Sequence, residues 1–179
     1  MTKTLEDIGP DFEFKLYHDE DPILHQRAEE ISDFALKDHG EFLNNMFMFM
    51  RSTGGIGLAA PQIGLPYKFF IMHAPDDKPR VCINPYISSR TDEEIALKEG
   101  CLSYPGLQLT LRRPLGIFVN YSDQSGDLVQ DVINGWASRV FQHEYDHVKG
   151  VVFTDHASPT KLKIAKSKVK KNLKKMKRR

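Results

Sequence analysis

The pentapeptide His143-Glu144-Tyr145-Asp146-His147 carries the sharpest chemistry in this 179-residue chain. On a helix, a spacing of four puts both imidazoles on one face, one turn apart, where they can bind the same metal ion. Glu144 sits within reach of a water on that ion, to accept its proton and later return one. Such a site needs a third ligand. Gly150 fits the longer H-E-x-x-H-x-x-G-x-x-H pattern, but Phe153 stands where its third histidine belongs. No glutamate follows Glu144, so a downstream Glu ligand is excluded. Two candidates are left: His156 downstream, and Cys101 upstream in the turn-rich run Lys98-Glu99-Gly100-Cys101-Leu102-Ser103-Tyr104-Pro105-Gly106. A thiolate with two imidazoles leaves one coordination position open, the arrangement of a catalytic site rather than a closed structural one. That donor set suits ferrous iron, zinc, nickel or cobalt.

Several elements must position these groups. Residues 134–149 have a helical pattern, with Trp136, Val140, Phe141 and Val148 as apolar members and Gly150 as the stop. A second helix is predicted from about Ser32 to Arg51, with Leu36, Leu43, Met46, Phe47 and Met50 near one face and Gly54-Gly55 ending it. Between the helices, Tyr67–Met72, Arg80–Asn84, Gly116–Tyr121 and Leu128–Ile133 read as strands. The glycine-rich Gly57-Leu58-Ala59-Ala60-Pro61-Gln62 is a place where backbone can approach a ligand closely. Strands in the middle with helices set apart define an α+β class, with antiparallel or mixed strands packed around a central H-E-x-x-H helix. An N-terminal helix and a basic C-terminal amphipathic helix complete the expected fold.

Length and composition fit one catalytic domain, 1–160, followed by a basic helix, 161–179. Two cysteines cannot build a disulfide framework, so a reducing compartment is expected and Cys82 reads as a buried free thiol. Met1 to Phe14 carries four acids and one lysine without an apolar run, which predicts no secretory signal and argues against a transit peptide. The net charge of +1 hides an asymmetry: residues 161–179 hold 11 of the 25 basic groups and no acid. The other 160 residues hold 14 basic against 24 acidic groups, a net of −10. Leu162, Ala165, Val169, Leu173 and Met176 recur at steps of three and four through the tail, behind a Ser158-Pro159 helix start. One apolar stripe with a cationic back suits a polyanion, with ribosomal RNA and an anionic membrane as the physical candidates.

Three of these segments, Gly55-Ile56-Gly57-Leu58-Ala59-Ala60-Pro61-Gln62, Glu99-Gly100-Cys101-Leu102-Ser103 and Gln142-His143-Glu144-Tyr145-Asp146-His147, resemble the signature motifs of the peptide deformylases in order and spacing. Asp21-Pro22-Ile23-Leu24 with Arg27-Ala28 resembles the family's N-terminal segment, and Phe153 through the lysine-rich tail resembles the C-terminal part of its bacterial type. The similarity runs from about Phe14 to the end. It implies a hydrolase that removes the N-formyl group from the initiator methionine of nascent chains and releases formate. One divalent metal would be held by Cys101, His143 and His147, with Fe2+ as the working ion and Zn2+, Ni2+ or Co2+ as possible substitutes. The resemblance implies Glu144 as proton acceptor and donor, and the Gln62 side-chain amide and Leu102 backbone N–H as donors to the developing oxyanion. Ile56 and Gly57 would offer backbone to an extended peptide. Ile56, Leu97, Leu102, Trp136 and Val140 are candidates for the methionine pocket, and Arg113 with Asp146 for an ion pair that orients the metal-binding helix.

The resemblance also implies that the basic helix docks on the ribosome, with no membrane involved. A monomer in the cytoplasm is expected; an organelle matrix or the cytoplasm of an infected host is also compatible. Gln108 departs from the family, standing where some members have an arginine that contacts substrate, which bears on preference beyond the first residue. Two other functions compete: an H-E-x-x-H peptidase cleaving internal bonds, disfavoured by the missing downstream ligand, and a catalytically silent ribosome-binding protein, disfavoured by the intact motifs.

Overall fold

A computed structural model describes residues 8, 9, 11–31 and 38–176. Seven strands and three α-helices appear among them: α1 (Gly40–Ser52), β1 (Gly57–Ala59), β2 (Phe69–Met72), β3 (Arg80–Arg90), β4 (Glu94–Gly100), β5 (Gln108–Pro114), β6 (Gly116–Ser122), β7 (Leu128–Asn134), α2 (Gly135–Val148) and α3 (Pro159–Met176). Five strands pair antiparallel in the order β1-β2-β3-β6-β7, and β4 pairs antiparallel with β5 in a separate ribbon. The α+β architecture expected from the sequence is the one observed.

One face of the five-stranded sheet packs against α2, while α1 covers the opposite face only across β1, β2 and the start of β3, leaving Tyr86, Phe118 and Val132 exposed there. Period-two alternation sorts the side chains. Phe69, Ile71, Val81 and Ile83 join Phe42, Leu43, Met46 and Met50 of α1 in one cluster. Phe70, Met72, Cys82, Ile117 and Val119 join Ala137, Val140, Phe141 and Val148 of α2 in the other. All four residues of β2 are therefore buried, as a strand packed on both faces must be. Phe141 is the keystone of α2: fully buried, it meets the Phe70 ring edge-on with centroids 5.0 Å apart. Truncating such a side chain costs about 3–5 kcal/mol, so α2 is held rigidly against the sheet.

A third cluster lies beneath the β4–β5 ribbon. Leu107, Leu109 and Leu111 meet Leu24, Val152 and Phe153, and Leu162, Ala165 and Val169 of α3 pack onto them. The tail stripe thus lies on the protein's own core as far as Val169; the Leu173 and Met176 side chains fall outside the described residues.

Some element boundaries differ from expectation. Helix α1 starts at Gly40; the proposed start at Ser32, with Leu36, lies outside the described residues. Strand β3 runs on past Asn84 to Arg90, because a register shift between Ile83 and Tyr86 absorbs the break that Asn84-Pro85 suggests. Asn84 itself has φ +48 at that irregularity. The glycine stops do hold: Gly54 has φ +78 after α1 and Gly150 has φ +74 after α2, conformations that glycine adopts without strain.

Candidate metal centre and active site

Helix α2 presents His143, Glu144 and His147 inward, and the turn between β4 and β5 brings Cys101 to meet them. The available donor atoms of Cys101, His143 and His147 all lie within 4.8 Å of one another, and Cys101 Sγ is 3.2 Å from His147 Nε2. No other group of three metal-binding side chains forms among the described residues. His156, the alternative third ligand, turns away: its Nε2 is 2.7 Å from Asp146 Oδ2.

Each ring is prepared for its position. His143 Nδ1 is 3.0 Å from Glu99 Oε2, which leaves Nε2 for the centre. Glu99 is a buried hub that also accepts from Arg113 Nε at 2.8 Å and Arg139 Nη1 at 2.7 Å. Burial alone would raise the Glu99 carboxyl, but hydrogen bonds from His143 and Arg113 outweigh it and hold the group far below the ordinary carboxylate range. Arg113 Nη1 reaches on to Asp146 at 2.6 Å, tying the ribbon to α2 on the side away from the cleft. Burial, and then the neighbouring His143, keep the His147 imidazole neutral, the form that binds metal.

Glu144 is 4% exposed and its Oε2 has no hydrogen-bond partner among the described residues. Burial, reinforced by Glu99 and opposed by His143, pushes its carboxyl up to about 7. An unpaired buried carboxyl is costly unless a ligand completes it. This orphan beside one thiol and two imidazoles fits a divalent cation, whose bonds of roughly 2.0–2.3 Å span such a cluster. Gln62 is fixed from the other side. The Ala59 backbone N–H donates to Gln62 Oε1 at 2.9 Å, so the amide NH2 points to Cys101 Sγ at 3.5 Å and Ser103 Oγ at 3.2 Å.

The centre opens into a cleft of about 450 Å³. Ile56, Gly57, Gln62, Leu102, Trp136 and Val140 line it, together with Glu144 and two of the three candidate ligands, Cys101 and His143. Leu97 is half-buried in β4 and is not part of the lining. Arg113 and Asp146 form their ion pair behind the lining. Glu99 and Arg139 were not singled out from the sequence. Arg139 lies four residues before His143, and a charge on the buried face of a helix was the available signal.

A cleft of this kind, with an open donor set of one thiol and two imidazoles beside an unpaired carboxyl, defines a metal-dependent hydrolase of α+β fold. The polypeptide deformylase family matches residues 14–163. A peptide deformylase of Christiangramia forsetii is 39% identical over 166 residues, covering 83% of this chain and 84% of that protein. The crystal structure of the Thermotoga maritima peptide deformylase is similar with a TM-score of 0.76 at 36% identity, covering 82% of this chain and 98% of that one. That of the Ehrlichia chaffeensis enzyme has a TM-score of 0.78 at 34% identity, covering 90% and 97%. The chain belongs to the peptide deformylase family. It is an enzyme that removes the N-formyl group from nascent peptides, in a metal-dependent reaction. Neither internal peptide cleavage nor a silent scaffold is the function the family carries.

Proposed function

We propose that Cys101, His143 and His147 hold one divalent cation, ferrous iron in the working enzyme, and that Glu144, Gln62 and the Leu102 backbone N–H perform deformylation beside it. The supporting observation is the meeting of one thiol and two imidazoles within 4.8 Å beside a buried carboxyl whose Oε2 has no partner among the described residues. When bound, the cation polarises the formyl oxygen and makes a water acidic enough to attack near neutral pH. Glu144 takes the proton of the attacking water and passes one to the departing amine. Its burial at the cleft wall, with Oε2 free of any partner among the described residues, places it to receive and return that proton. Gln62 donates through Nε2 to the oxyanion, and the Ala59 N–H that holds its Oε1 means little reorganisation is needed. The Leu102 N–H has no backbone acceptor among the described residues and is available as the second donor.

Peptide binding follows from two unpaired edges. Among the described residues, β1 is the outer strand of its sheet and β4 pairs with β5 alone. An extended peptide laid between them meets main chain at Ile56–Gly57 and at Gly100, a mode that tolerates varied side chains. Ile56, Leu102, Trp136 and Val140 surround the methionine side chain. With its apolar stripe on the core, α3 presents Lys163, Lys166, Lys170 and Lys171 outward to ribosomal RNA. The enzyme works as a monomer in the cytoplasm; among the described residues no helix is long and apolar enough to cross a membrane.

The test is formate release from formyl-Met-Ala-Ser by anaerobically prepared protein, beside an N-acetyl analogue, an unmodified peptide and the Glu144→Ala variant. Formate is expected from the first substrate alone, with loss of turnover and retention of metal in the variant. Full activity without Glu144 overturns the assignment. Metal analysis of the most active fraction tests the choice of iron.

A further inference from the structure

The active-site cleft does not end at its rim. Lys98, Gly106 and Gln108, which line the cleft, also line a second cavity of about 300 Å³ whose opposite wall is α3. The register explains the shared wall. Lys98 pairs with Thr110 and Gly100 with Gln108 across the β4–β5 ribbon, so Lys98, Gln108 and Thr110 stand on its outer face, opposite buried Leu109 and Leu111. From α3, Lys161, Ile164, Ala165, Lys168, Val169 and Asn172 complete the groove. Among the described residues, three lysines and no acid line it. The Lys161 ammonium already donates to the Thr110 carbonyl at 2.7 Å, fixing it at the wall. Among the described residues no carboxylate pairs with Lys98 or Lys168. Lys161 and Lys168 are seven residues apart, two helical turns or about 10 Å, which an extended peptide spans in about three residues.

We infer that this groove receives the downstream part of the formylated peptide and favours acidic side chains a few residues after the formylmethionine. The inference rests on the deformylase site proposed above. An extended chain leaving the cleft past Gly106 and Gln108 runs between the ribbon and α3, where cations face it from both walls. The basic helix then divides its lysines between two tasks: Lys161 and Lys168 face the groove, while those on the opposite side face solvent. Contacts this far from the reacting bond bind ground and transition states alike, so the preference enters through KM with kcat unchanged.

The experiment compares formyl-Met-Ala-Ser-Glu-Glu-Glu with its Lys-Lys-Lys and Gln-Gln-Gln counterparts, and with formyl-Met-Ala-Ser, at low and high salt. The parent enzyme and Lys161→Gln/Lys168→Gln are both assayed. The acidic peptide is expected to exceed the basic one about fivefold or more in kcat/KM at low salt, the range of a few exposed charge pairs. That gap should narrow with salt and in the double variant, while the tripeptide is processed equally by both enzymes. Equal kcat/KM for all three long peptides overturns the inference, as does an acidic preference that survives the double substitution intact. Absence of turnover on every formylated peptide, the tripeptide included, would instead refute the catalytic assignment on which it rests.

Discussion

A methyl group added at Gly57 tests how Glu144 is held. A Cβ built there lies 2.7 Å from Glu144 Cδ and 2.8 Å from Cγ, and closer still to Oε1. Ordinary carbon contacts are about 3.5–4.0 Å, so the carboxyl arm must withdraw by about 0.7–1.3 Å. It has little room, being 4% exposed on a helix anchored through Phe141. The φ of Gly57 lies outside the left-handed region, so alanine brings a contact problem and no backbone strain. Displacing a catalytic group by about 1 Å commonly costs on the order of 10²-fold, and that loss is expected in kcat of Gly57→Ala for formyl-Met-Ala-Ser. Overpacking adds roughly 1–3 kcal/mol of destabilisation, which scanning calorimetry would read as a fall in Tm of about 2–12 °C. Metal content should stay at the parent level, because none of Cys101, His143 and His147 is touched. In the double variant Gly57→Ala/Glu144→Gln the two losses should not add, since both act on one carboxylate. Parent-like kcat with metal bound, or additive losses, would refute the idea that this contact sets the position of the base.

Three further outcomes follow from the same geometry. Glu99→Gln leaves Arg113 and Arg139 buried without their carboxylate and loosens His143; denaturant unfolding should show a loss of about 3–5 kcal/mol, and metal titration an affinity about 10–100-fold weaker. In metal-free protein the Glu144 carboxyl, raised by burial to about 7, keeps a proton that the unfolded chain has released. The folded state therefore binds more protons between the ordinary value of 4.5 and about 7, and stability should fall as pH rises through that window. Urea unfolding of the apo protein against pH should show this slope in the parent and a flatter one in Glu144→Gln. Replacing Lys163, Lys170, Lys171 and Lys174 by Gln should weaken co-sedimentation with ribosomes and lessen its salt dependence, whereas an affinity indifferent to ionic strength would remove the electrostatic account.

Much of the site was legible because its chemistry sits in short, dense segments. The spacing of His143 and His147 specifies one helical face whatever the remainder of the chain does, and elimination of downstream ligands left Cys101 and His156 as the candidates. The apolar periodicity of α2 and the glycines after α1 and α2 are local signals, and the structure keeps them. The β4–β5 ribbon was harder to see. Its outer face is polar, with Lys98, Gln108 and Arg112, and the Cys101–Gly106 turn dominates the reading of the segment that joins its strands. Leu97 illustrates what the pairing adds: its partner Leu111 puts it, half-buried, on the same face of β4 as Glu99, a relation that the segment alone does not display.

The Glu99 hub shows where local reading ends. A glutamate beside a candidate metal ligand is, by itself, a solvated charge. It becomes the support of the site only because Arg113, fourteen residues away, and Arg139, forty residues away, close on it once the ribbon packs across α2. Two guanidiniums and a carboxylate taken out of water together are costly, and replacing such a set by apolar residues often stabilises a protein. What the set gives here is position. The carboxylate holds His143 by Nδ1 and so turns Nε2 toward Cys101 and His147, and Arg113 carries the same tie on to Asp146 on the helix that bears both histidines. Glu99→Gln should therefore damage metal affinity and stability together, whereas a carboxylate needed only to balance charge would leave metal affinity intact once the fold was restored by a second, remote stabilising substitution.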